Sequence, residues 1–121
     1  MRRMTTNERL RALLRQRVEY WSHRLKAAPR IVRIRRMTRK WGSCSLGGVI
    51  TLASDLAKED AGFQDFVIAH ELLHLRVPNH GRVFKALLSA HVPDWRVHDL
   101  RRRTTSALPS SRTILWPGRA R

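Results

Sequence analysis

Leu10, Leu13, Leu14, Val18, Trp21 and Leu25 recur at three- and four-residue spacing, which predicts an amphipathic helix over about 6–27. Thr5-Thr6-Asn7-Glu8 ahead of it reads as a capping box, and Pro29 is the stop signal. The opposite face of this helix is almost all arginine. Ile31, Val32, Ile34 and Met37 then form a β-rich stretch, and Val49-Ile50-Thr51-Leu52 a second short strand. The glycines of Trp41–Gly48 suit a tight hairpin turn, so an antiparallel pair is expected. A pair of strands is marginal alone and needs a helix over one face.

From Phe63 to Arg76 the period is helical again, with Phe66, Val67, Leu73, His70 and His74 near one face. Asp60 and Asp65 lie near its N-terminus, where carboxylates complement the helix dipole. Pro78 and Asn79-His80-Gly81 end it. Phe84, Leu87 and Leu88 indicate a further short helix, and Trp95, His98 and Leu100 a last amphipathic segment. After Arg103 the chain turns to Thr, Ser, Pro and Arg, which reads as a basic, weakly ordered C-terminal tail over 104–121. One α+β domain over 1–103 is therefore expected, without internal repeats.

Composition adds three points. A hydrophobic content of 42% is enough for a core, and no apolar run reaches the length of a membrane span. The basic N-terminus is followed by polar residues rather than a signal-peptide segment, and the single cysteine, Cys44, cannot form an internal disulfide. The expected compartment is the cytoplasm. Third, 25 Lys+Arg against 9 Asp+Glu give a formal charge of +16, a field that attracts polyanions such as DNA or RNA. The arginines are spread along the chain and show no zinc-finger spacing, helix-turn-helix or aromatic-interleaved motif. Oligomeric state is not legible.

Residues 70–74 read His-Glu-Leu-Leu-His. On a helix, positions i and i+4 share a face, so His70 and His74 can present two imidazole nitrogens to one zinc ion. Glu71 can reach a metal-bound water as general base without itself ligating. The surrounding Phe66, Val67, Ile68, Leu72, Leu73 and Leu75 leave little solvated face for these polar groups. A catalytic zinc takes three protein ligands. The nearest candidate for the third is His80, past the helix-ending Pro78, with His91, His98, Glu59 and Asp94 as alternatives. Its spacing is that of metzincins, but Val77 stands where their motif has glycine.

Trp41-Gly-Ser-Cys-Ser, Gly48-Val-Ile-Thr-Leu, Phe66-Val-Ile-Ala-His-Glu-Leu-Leu-His-Leu, Asn79-His80-Gly-Arg-Val-Phe84 and Pro93-Asp94-Trp95 occur in order. Over about residues 38–100 this set resembles the YgjP-like metallopeptidase domain, related to SprT-like and WLM peptidases. The resemblance implies a minimal gluzincin-like zincin fold: a short antiparallel sheet packed on an active-site helix that carries HExxH. It implies zinc on His70, His74 and His80, Glu71 as general base, and a peptide or protein substrate. Ala53, Gly81 and Lys85 depart from residues common in that family.

The implied activity is a zinc-dependent hydrolysis of peptide bonds. The alternative is a basic nucleic-acid-associated module with a structural or degenerate zinc site; the two combine if the substrate is a DNA-bound protein. His98 or a nearby arginine is a candidate oxyanion stabiliser, and strand 48–52 a candidate edge for peptide addition. Trp41 and Cys44 are expected to be packing residues, with a thiol ligand as the other reading of Cys44.

Overall fold

The computed structural model describes residues 3–104, so the tail expected after Arg103 lies almost entirely outside the described residues. The elements in chain order are α1 (Thr6–Leu25), β1 (Ile31–Arg35), β2 (Gly42–Cys44), β3 (Val49–Ala53), a 3-10 turn (Ser54–Lys58), α2 (Ala61–Leu73), α3 (Arg82–His91) and α4 (Trp95–Thr104). The α+β class stands. No described helix is long and apolar enough to cross a membrane.

α1 opens on the expected capping box: Thr5 Oγ1 accepts from the Glu8 N–H at 3.1 Å, and Glu8 Oε1 accepts from the Thr5 N–H at 2.9 Å. It stops before Pro29, because Lys26 adopts the left-handed conformation at φ 53° and its N–H donates to the Ser22 carbonyl. Leu14, Val18, Trp21 and Leu25 are buried, whereas Leu13 faces solvent. α1 is fastened to α2 by Asp65, which receives a forked pair of bonds from Arg17 at 2.8–3.0 Å and the Trp21 indole N–H at 2.9 Å. Asp65 therefore docks a helix rather than merely complementing a dipole; Asp60 is the N-cap, accepting from the Phe63 N–H at 2.8 Å. Asp65→Ala leaves the buried Trp21 N–H without its partner. It should cost about 2 kcal/mol, read as a melting temperature roughly 10 °C lower.

The sheet differs from expectation in one respect. It has three strands in the order β1-β3-β2, and β1 pairs with β3 in parallel, Ile31 opposite Val49 through Arg35 opposite Ala53. The antiparallel partner of β3 is β2, with Gly42 opposite Leu52 and Cys44 opposite Ile50. The hairpin turn is thus only Ser45–Gly48, closed by Gly48 at φ 85°, a conformation that favours glycine. β2 was hidden because Gly-Ser-Cys has no β-branched or aromatic residue. The consequence is functional: β3 is central and paired on both sides, so it has no edge to offer a peptide.

β3 and α2 form the centre of the molecule. Phe63 and every residue from Phe66 to Leu73 are buried, on all sides of α2 rather than one. The sheet covers one side, and α1, α3 and α4 pack around the rest. Trp41, 1% exposed, meets Phe63 edge-on at 5.2 Å and is core, as expected.

Candidate metal centre

His70 lies in the last turns of α2, and His74 is its C-cap residue, still in right-handed helical geometry at φ −65° and ψ −16°. The one-turn spacing therefore survives to the end of the helix and puts the two rings 4.9 Å apart, edge to face. Beyond His74 the backbone tightens: Leu75 and Arg76 donate to the carbonyls of Leu72 and Leu73 three residues back. Asn79 Oδ1 then accepts from the Gly81 N–H at 3.0 Å, turning the chain into α3. This reversal carries His80 to the other two histidines, with ring centres 5.0 Å from His70 and 4.6 Å from His74.

One nitrogen from each of His70, His74 and His80 lies within 4.8 Å of the others, a span that a single ion can bridge. Among the described residues no other group of His, Cys, Asp or Glu converges with them. The alternatives for a third ligand are engaged elsewhere. His91 faces Trp21, Glu59 pairs with Arg101, and Asp94 accepts from His98 Nε2 at 3.0 Å. His98 stacks on Phe66 at 5.9 Å, and a Cβ on Gly62 would lie 3.1 Å from its ring. It is a packed residue of the helix face.

The side chains fit an ion electronically as well as spatially. His74 Nδ1 lies 3.2 Å from the Val77 carbonyl. With the Nδ1 proton donated there, Nε2 carries a lone pair, and it faces His80 Nε2 at 2.8 Å. Because the acceptor is a backbone carbonyl, valine at 77 serves as well as any residue. Burial lowers the pKa of His70 well below its ordinary value, helped by the charges of His74, His80 and Arg102. His74 is also lowered, chiefly by burial, against hydrogen bonds to the Val77 and Pro78 carbonyls. Neutral imidazoles are the form that ligates. Phe84 forms the floor of the cluster, 5.1, 4.7 and 4.9 Å from the rings of His70, His74 and His80.

Glu71 is fully buried beside this cluster, and neither carboxylate oxygen meets a donor among the described residues. Its Oε2 stands 3.6 Å from His70 Nδ1. Burial raises its pKa well above the usual carboxylate range, opposed by the charges of Lys40 and Arg102. Gly42 makes room for it: a Cβ there would come 3.0 Å from Glu71 Cγ and 3.4 Å from Oε2. Cys44, two residues further along β2, is half-buried, and its thiol is pushed up to about 11 by burial and by the Glu71 charge. It stays protonated at neutral pH and does not join the histidine group.

The family model of the YgjP-like metallopeptidase domain matches residues 2–103. The chain belongs to the YgjP-like metallopeptidase family. Membership implies a bound metal ion and a peptide or protein substrate. The fold is also that of two solved structures. The metallopeptidase zymogen abylysin of Pyrococcus abyssi is 21% identical, with a TM-score of 0.65 over 73% of this chain and 90% of that one. The jannalysin zymogen of Methanocaldococcus jannaschii is 20% identical, with a TM-score of 0.63 over 73% of this chain and 94% of that one. No curated protein matches the chain.

Three features of the site were missed by sequence reasoning. Gly42 resembled a turn glycine, and Phe84 an ordinary core residue. Arg102 sat in a run of three arginines that looks solvated, yet its side chain is buried and bonds Asp99 Oδ1 through Nε at 2.8 Å. Ala53 is fully buried at the end of β3 and Lys85 is exposed on α3.

Proposed function

We propose that this YgjP-like domain is a zinc-dependent peptidase of the HExxH type, with His70, His74 and His80 as ligands and Glu71 as general base. The observation that carries the reading is the pairing of three convergent imidazoles with a buried carboxylate that has no donor among the described residues. Leaving such a carboxylate unbonded is costly, and a proton-transfer role accounts for it. Three nitrogen ligands suit zinc and leave a position open, whereas a structural zinc site is closed by four protein ligands. His70, His74 and His80 would hold the zinc ion, which would supply Lewis acidity toward water and a substrate carbonyl. Glu71 takes the proton of the attacking water on a carboxylate oxygen and returns it to the departing amine.

The sheet edges indicate where an extended substrate lies. β1 and β2 are the outer strands, but the Val32 and Ile34 carbonyls of β1 already accept from Arg15 and Arg11 at 3.0 and 2.7 Å. β2 flanks Glu71, so the peptide adds along Gly42–Cys44 by main-chain hydrogen bonds. The test is hydrolysis of an unfolded protein by the full chain before and after chelation. The reading expects loss of cleavage on metal removal and recovery on adding zinc. Cleavage that continues in the metal-free protein would contradict it.

A further inference from the structure

Between Glu19 and Asp55 the chain has no acidic residue and eight basic ones. Four of the nine carboxylates are paired with arginines outside this stretch. Asp65 pairs with Arg17, Glu59 and Asp60 with Arg101, and Asp99 with Arg102 and Arg103, all around α2 and α4. Among the described residues no carboxylate forms a salt bridge to Arg11, Arg15, Arg33, Arg35 or Arg36.

The fold gathers these five into one strip, although they come from separate segments. Arg11 and Arg15, one helical turn apart on α1, each donate from Nη1 to a carbonyl along the outer edge of β1. Each guanidinium has five donors, so this contact leaves most of its donors for another partner. Arg33 and Arg35 alternate with the buried Ile34 and are exposed on the outer face of the sheet, and the exposed Arg36 follows directly after β1. The register extends it with hydroxyls: Arg33 lies opposite Thr51, and Thr51 opposite Ser43. Arginine forks and hydroxyls in a row match phosphate oxygens. None of the exposed large apolar side chains lies on β1, so the strip lacks the groups that enter a bilayer.

We propose that the arginine strip of α1 and β1 binds the phosphate backbone of nucleic acid without reading its sequence. The arginines stand apart from the metal centre, since they lie on α1 and along β1 whereas Glu71 packs against β2, the other edge of the sheet. Peptide and nucleic acid can therefore be held at once.

The test measures binding of a labelled DNA duplex to the full chain by fluorescence anisotropy across a salt series. The wild type is compared with Arg33→Thr/Arg35→Thr and with Arg82→Ser/Lys85→Ser, a control that removes the same charge from the exposed face of α3. The strip variant should bind on the order of ten-fold more weakly, with a salt slope shallower by about 1.8, while the control changes less than about two-fold. Equal weakening in both variants would reduce the effect to net charge and overturn the proposal. So would an unchanged strip variant, which would move binding to other cations such as those of 105–121. Absence of binding at low salt also overturns it. Tighter, strip-dependent binding to phosphatidylserine vesicles than to DNA would assign the surface to membranes instead.

Discussion

Glu71→Gln should lower peptide hydrolysis by about 100- to 10,000-fold and leave metal content at one ion per chain. Glutamine keeps the size and shape of the side chain but cannot accept the proton of the attacking water. The three imidazoles do not depend on it: His74 is oriented by the Val77 carbonyl, and Phe84 supports all three rings. Nor does the fold depend on it. The Glu71 carboxylate is fully buried without a donor among the described residues, so exchanging it for a neutral amide should not lower the melting temperature. The combination separates the proton-transfer role from a structural one, since a residue kept for packing would show loss of stability together with loss of activity. Metal content and a thermal melt on the same sample read both.

His80→Ala should remove the metal rather than the fold. His80 comes from the turn between α2 and α3 and is only partly buried, so truncating it opens no core cavity. The metal-free variant should melt close to metal-free wild type. Adding zinc should raise the melting temperature of wild type by roughly 10 °C once the ion is at about 100 times its dissociation constant. In the variant that rise should largely vanish. His91→Ala is the matching control: His91 faces Trp21 and stands outside the three-histidine group, so the zinc-dependent rise should persist. A rise that survives in His80→Ala would return the third ligand to open choice.

Much of the site was legible because it follows local periodicity. His70 and His74 are one turn apart, and helix geometry alone puts their rings together. His80 was harder: it was the nearest candidate past Pro78, but spacing left others open until the ordered motifs favoured it, and its position depends on the Asn79 turn and the reversal into α3. The four helices were readable from apolar spacing, with ends shifted where Lys26 takes the left-handed cap and His74 ends α2. The sheet was less legible. The β1–β3 pairing is parallel and joins segments separated by the short β2, and three residues of Gly-Ser-Cys carry no strand signal. Gly42 illustrates the limit: whether a glycine serves a turn or a close approach depends on what folds against it, here Glu71. The run Arg101–Arg103 illustrates it again. Arg101 pairs with Glu59 and Asp60, Arg102 is buried on Asp99, and Arg103 is exposed. Identical residues in sequence acquire three surroundings from the direction each takes off α4.

The identity of the ligands is tested most directly by X-ray absorption at the zinc edge of the zinc-loaded protein. The expected spectrum shows nitrogen and oxygen neighbours at about 2.0–2.1 Å, with the multiple scattering of three imidazoles and no sulfur. A sulfur neighbour at about 2.3 Å, which only Cys44 or a methionine can supply, or fewer than three imidazoles, would contradict it.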